Sequence, residues 1–208
     1  MPRAFRTLLF IVSLLVPVAA AAAAAAERSI LILGDSVSAA YGIAQSRGWV
    51  ALLRERLKRE RLDYSVVNAS VSGDTSSGGL SRIGAALEKH KPAVLILELG
   101  GNDGLRGLPI AEMRKNLGMI VERAHKAGAR VLVVGMRLPP NYGPDYTAAF
   151  EASFADLAKR HKTALVPFLL EGFAERPDLF QPDQIHPTAA AQPLMEERIW
   201  KALRPLLR

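Results

Sequence analysis

The chain contains no cysteine. That absence excludes a thiol nucleophile, a disulfide framework, a thiolate metal site and the lipid-bearing cysteine of a bacterial lipoprotein, and it leaves oxygen as the nucleophile for any covalent chemistry. Aromatic residues make up only 6% of the 208 residues, too few for an aromatic-rich sugar platform. Histidine occurs four times, so the search for a general base is short. No Gly-x-Gly-x-x-Gly or Gly-x-x-x-x-Gly-Lys loop follows an apolar run, which argues against a phosphate-cradling nucleotide site. No Pro/Gly/Ser-rich linker and no internal repeat interrupts the sequence, so one domain is expected.

The first 26 residues stand apart. Arg3 and Arg6 precede an unbroken apolar run, Thr7 to Val18, that passes into alanines from Ala19. A charged start, an apolar stretch and small residues at Ala24-Ala25-Ala26 form the pattern of an export signal cut near Ala26. An uncleaved anchor over residues 7–26 is the rival reading. Removing 26 residues leaves a 182-residue domain, 27–208, long enough for a full core. It also takes away two arginines and no acid, lowering the net charge from +7 to +5. A basic surface favours anionic partners such as phospholipid head groups or the phosphates of an acyl carrier, and transient membrane-surface contact fits it. Nucleic acid does not fit, because Lys and Arg are spread along amphipathic helices.

Short apolar runs at Ser29–Leu33, Tyr64–Val67, Ala93–Leu99, Arg130–Gly135 and Thr163–Val166 read as buried strands. Between and after them, Trp49/Leu53/Leu57, Met113/Leu117/Ile120, Phe150/Phe154/Leu157 and Met195/Ile199/Leu203 recur at helical spacing. Apolar strands alternating with helices imply an α/β fold with a five-stranded parallel sheet covered on both faces. Glycine-rich and polar residues follow the strands, at Gly34-Asp35-Ser36, Asn68–Thr75, Gly100–Gly104 and Met136–Gly143. In an open parallel sheet these loops share the carboxyl edge, where ligands bind.

Ser36 stands just past the first strand, as either a helix cap or a nucleophile. Three of the four histidines lie in charged, solvated stretches: His90 between lysines, His125 beside Arg123 and Lys126, His161 after Lys159-Arg160. His186 differs, because Asp183 precedes it by three residues and can orient the imidazole and stabilise its cation. Acyl transfer also needs donors for the oxyanion. Gly73 in Ser70-Val71-Ser72-Gly73-Asp74-Thr75 and Asn102 in Gly100-Gly101-Asn102-Asp103-Gly104 are candidates, although each segment alone reads as a turn. Leu105, Leu108, Leu138, Pro139 and Tyr142 fall in loops of the same edge and are candidates for an acyl-chain site.

Taken in order, the blocks Ile32–Ser36, Asn68–Thr75, Glu98–Gly107, Arg137–Gly143 and Asp183–Pro187 resemble the SGNH, or GDSL, hydrolase family. The match is close to its periplasmic thioesterase, lysophospholipase and arylesterase branch and spans the chain after residue 26. The one departure is Val37 where the family usually has leucine. The resemblance implies a flavodoxin-like three-layer α/β/α sandwich, with Ser36 as nucleophile, His186 as base and Asp183 as its orienter. It also implies an oxyanion hole from Ser36, Gly73 and Asn102, and no metal or organic cofactor. The implied substrates are acyl-CoA thioesters, aryl esters and lysophospholipids, handled by a monomer after export to the periplasm or beyond. Alternatives are a carbohydrate or peptidoglycan O-acetyl esterase on the same scaffold and a non-catalytic exported lipid-binding protein.

Overall fold

Side-chain alternation along the apolar runs decides the layers. In the computed structural model, which describes residues 28–207, strand β1 (Arg28–Gly34) directs Ile30 and Ile32 to one face and Leu31 and Leu33 to the other. All four side chains are fully buried, as a central strand of a parallel sheet requires. The expected export signal lies outside the described residues.

Four more strands join β1: β2 (Tyr64–Asn68), β3 (Val94–Glu98), β4 (Arg130–Val134) and β5 (Ala164–Val166). All pairings are parallel, in the order β2-β1-β3-β4-β5. On one face lie α1 (Trp49–Arg59) and α6 (Gln192–Leu203), whose Trp49, Leu53, Met195 and Ile199 pack on Ile30, Ile96 and Leu132. On the other lie α2 (Ser76–His90), α4 (Ile110–Lys126) and α5 (Pro144–His161), where Ile83, Leu117, Ile120, Phe150 and Phe154 cover Leu31, Leu95 and Val133. Each fully buried Leu, Ile or Phe contributes roughly 1.5–3 kcal/mol of transfer free energy, so the two layers together dominate stability. The five-stranded parallel sheet between helical layers is the architecture the sequence pattern predicts.

Two helices have no counterpart in the apolar periodicity: α2 and the one-turn α3 (Gly101–Leu105). Helix α2 contains Gly78, Gly79 and Gly84, a composition that disfavours a helix in isolation. Packing requires at least one of them. A Cβ on Gly79 would lie 2.2 Å from Leu99 Cδ1, so the glycine lets the helix approach the sheet. Thr75 caps the helix by accepting from the Gly78 amide.

The chain runs from β1 to β2 on one side, then crosses back past β1 to β3 on the other and continues outward to β4 and β5. The crevice beyond the carboxyl ends of β1 and β3 is therefore the topological switch point, and Gly34 and Glu98, the last residues of these strands, pair across it.

Candidate active site

Ser36 emerges two residues beyond β1 at that crevice. The chain turns sharply behind it: the Ala39 amide donates to the Asp35 carbonyl and the Tyr41 amide to the Ser36 carbonyl. His186 arrives from a distant loop, 150 residues further along the chain, and places Nε2 2.8 Å from Ser36 Oγ. That loop is pinned to the 179–181 segment, since Gln181 N donates to the His186 carbonyl and Thr188 N to the Leu179 carbonyl, each at 2.8 Å. The Gln181 carboxamide also donates to the carbonyls of Tyr41 and Pro187, joining the histidine loop to the serine loop. The Tyr41 ring lies 4.6 Å from the His186 ring, centroid to centroid.

Asp183 completes the line. Its Oδ2 is 2.7 Å from His186 Nδ1, while Oδ1 accepts the amides of Ile185 and His186, each at 3.0 Å. Partial burial works against ionisation here. The hydrogen bonds from the His186 amide and ring and the Ile185 amide outweigh it and hold the carboxyl at about 2. With a carboxylate at Nδ1, the ring proton belongs on that nitrogen, which leaves the Nε2 lone pair facing the serine hydroxyl. The spacing Asp-x-x-His thus brings the carboxylate and the imidazole together within one turn.

On the other side of Ser36 lie the donor candidates. Gly73 has φ +78°, a conformation that favours glycine, at the tip of the loop between β2 and α2. Among the described residues, neither its amide nor that of Ser36 donates to a protein acceptor. Asn102 sits in α3, and its carboxamide nitrogen donates to Asp35 Oδ2 at 3.0 Å and to the Asp74 carbonyl at 2.9 Å. Asp103 beside it is buried and accepts from both the Ser76 amide and hydroxyl, which locks α3 to the start of α2.

Close to Ser36 are two buried acids, Asp35 and Glu98. Glu98 Oε2 accepts from Ser38 Oγ at 2.6 Å and from the Asp35 amide at 3.3 Å; Oε1 has no partner. Burial, then the charge of Asp35, pushes its carboxyl well above the usual range. Burial likewise lifts Asp35 to about 6, against the opposing pull of the Val37 amide, His186 and Asn102.

A cavity of about 410 Å³ opens beside this line, lined by Leu105, Leu138 and Pro139 together with Phe168, Phe180 and Ile185. It reaches Gly101 next to Asn102, and Ile185 next to His186, so its inner end abuts the site. Its size suits a small-molecule pocket. Of the other two loop candidates, Tyr142 stands outside the lining and donates its hydroxyl to the Leu105 carbonyl, while Leu108 is exposed after α3. Phe168 and Phe180 come from the long stretch after β5, and their apolar character alone does not mark them as cavity residues.

The GDSL-like lipase/acylhydrolase family pattern matches residues 32–193, which include every residue of the Ser36–His186–Asp183 line. The chain is 52% identical over 182 residues to "Esterase TesA" of Pseudomonas aeruginosa, covering 88% of this chain and 90% of that protein. It is 44% identical to "Thioesterase 1/protease 1/lysophospholipase L1" of Escherichia coli K12, covering 88% and 86% respectively. Among solved structures, a crystal structure of TesA superposes with a TM-score of 0.85 at 52% identity, over 86% of this chain and all of that one.

Proposed function

The chain belongs to the GDSL-like lipase/acylhydrolase family, and on that premise we propose that it is a serine hydrolase of acyl esters and thioesters acting through an acyl-enzyme on Ser36. The observation that carries the reading is the hydrogen-bonded line from Ser36 Oγ through His186 to Asp183, at 2.8 and 2.7 Å, beside an apolar cavity.

His186 Nε2 takes the Ser36 proton as Oγ attacks the substrate carbonyl, and Asp183 stabilises the imidazolium. The carbonyl oxygen becomes an oxyanion facing the unpaired amides of Ser36 and Gly73 and the Asn102 carboxamide. Asn102 shares its hydrogens with the oxyanion as three-centre bonds, while Asp35 and Asp74 keep the group oriented. Collapse expels the thiol or alcohol, protonated by His186, and water reverses the sequence to release the acid. The apolar cavity favours acyl chains over acetyl groups, so long-chain acyl-CoA, aryl esters and lysophospholipids are the substrate classes.

The enzyme acts as a monomer after export and removal of residues 1–26, and contacts phospholipid surfaces transiently. Four of the five large apolar side chains exposed among the described residues, Tyr41, Val71, Leu108 and Ile185, ride on loops of the site's own edge. No helix among the described residues is long and apolar enough to cross a membrane.

The test is hydrolysis of p-nitrophenyl esters from acetyl to octanoyl, a long-chain acyl-CoA and a lysophospholipid by residues 27–208, beside Ser36→Ala. Rates that rise with chain length and vanish in the variant support the proposal. Preference for acetyl esters would instead favour the O-acetyl esterase, and no turnover by folded protein the binding protein. Sedimentation with phosphatidylglycerol vesicles tests the surface contact, which is wrong if the protein stays in solution at low salt.

A further inference from the structure

We infer that Arg82 is a positioning residue for this reaction, whose guanidinium holds the nucleophile turn and the oxyanion loop at a fixed separation. The inference rests on the reading of Ser36 as nucleophile.

Arg82 lies in the second turn of α2, away from the loops that carry the recognised motifs. Its guanidinium nevertheless reaches both of them. Nη2 donates to the carbonyl of Gly34 at 3.2 Å, two residues before Ser36. Nη1 donates to the carbonyl of Ala69, at the start of the loop that carries Gly73. Nε and Nη2 both lie 2.7 Å from Asp74 Oδ2, in the residue directly after Gly73. Asp74 passes the connection on: its Oδ1 accepts the Thr75 amide at the start of α2, and its carbonyl accepts the Asn102 carboxamide. One planar cation is thus bonded to the turn two residues before Ser36, to the residue after Gly73 and, through that residue, to Asn102.

The chemistry requires arginine. A rigid fork of five N–H donors can serve a carboxylate and two carbonyls at once, whereas a lysine ammonium keeps only a point charge near Asp74. The Arg82 and Asp74 side chains are 26% and 12% exposed, so the pair is shielded from competing water. Oxyanion donors act through tenths of an ångström, and only once the carbonyl oxygen has moved to its tetrahedral position. Slackening this bracket therefore lowers kcat and leaves ground-state binding in the separate apolar cavity unchanged.

The experiment compares Arg82→Lys, Arg82→Ala and, as a control, Arg123→Met, since Arg123 also holds α2, through the Leu80 carbonyl, without touching an active-site loop. kcat and KM for p-nitrophenyl octanoate, thermal midpoints and affinity for an octylboronic acid, which becomes tetrahedral on Ser36, are measured for each. Arg82→Lys is expected to lose roughly 10- to 100-fold in kcat with KM within about twofold, and the boronate affinity to fall by a similar factor. Ethylguanidinium should restore part of the activity of Arg82→Ala where ethylammonium does not. Arg123→Met should lose stability and keep kcat.

Wild-type kcat in Arg82→Lys, an equal kcat loss in Arg123→Met, or equal rescue of Arg82→Ala by ethylammonium and ethylguanidinium would overturn the assignment. So would an Arg82→Lys that does not fold together with an Arg82→Ala that ethylguanidinium cannot restore, since the role would then be structural. Labelling of the wild-type enzyme by a fluorophosphonate separates the two layers of argument. A probe that misses Ser36 defeats the nucleophile reading itself, whereas a labelled Ser36 with an unaffected Arg82→Lys defeats only the bracket.

Discussion

Two aspartates flank the Ser36 hydroxyl and are pushed in opposite directions. Asp183 has a side chain 38% exposed and accepts three hydrogen bonds from its own tight turn, which keep it ionised down to about 2. Asp35 is buried beside a second acid, Glu98, and burial raises it to about 6. Each is followed within three residues by a member of the hydrogen-bonded line, Asp35 by Ser36 and Asp183 by His186. Local hydrogen-bond supply decides between them: the exposed carboxylate is better solvated by the chain than the buried one, and only it can serve as a permanent anion for His186.

Substitutions at the two sides should separate in size. Asp183→Asn should cost roughly four decades in kcat, because an amide at Nδ1 favours the wrong tautomer of His186. A loss under tenfold, measured on p-nitrophenyl octanoate at pH 7, would mean that another group orients the ring. Asn102→Ala should cost two to three decades in kcat, about 3–4 kcal/mol, the scale of one oxyanion donor; unchanged turnover removes Asn102 from the site.

Asp35→Asn should be milder, roughly tenfold in kcat, since it replaces the acceptor that orients the Asn102 carboxamide with an amide that leaves the turn largely intact. The same variant sharpens the comparison through pH. Asp35 has a folded value of about 6 against an ordinary 3.8, so its contribution to stability is complete below about 4 and is lost as pH rises through about 6. Asp183 runs the other way, contributing fully above 3.8 and losing its contribution as pH falls through about 2. Urea midpoints of the wild type should therefore decline between pH 4 and 7 more steeply than those of Asp35→Asn; parallel curves would contradict the burial argument. The smallest effect is expected from Glu98→Gln. An amide of the same shape replaces an acid whose burial disfavours its charge, so kcat should change by less than about twofold and neutral-pH stability by less than about 0.5 kcal/mol. A tenfold loss would show that the site needs the carboxylate.

Legibility followed locality. The strands, four of the six helices and the Asp183-His186 turn can be read from a few neighbouring residues, and His186 stands out because the other three histidines lie in solvated stretches. Helix α2 could not be read this way, because one of its glycines, Gly79, is explained by Leu99, a residue twenty positions away. The cavity was legible in part: Leu105, Leu138 and Pro139 are near the motifs, but Phe168 and Phe180 enter it only because the segment after β5 folds back across the edge.

By itself the sequence determined an α/β domain with a parallel sheet and excluded a thiol nucleophile, since periodicity, loop composition and the lack of cysteine are properties of the chain regardless of its path. Its motif blocks, through their family resemblance, also pointed to Ser36, His186 and Asp183, which the fold brings into one hydrogen-bonded line. Only the tertiary structure decided which side chains hold these groups in place. The parts played by Arg82, Asp35 and Glu98 are not readable locally, because they arise from partners 8 to 67 residues away and from a burial that exists only once the sheet has closed between its helices.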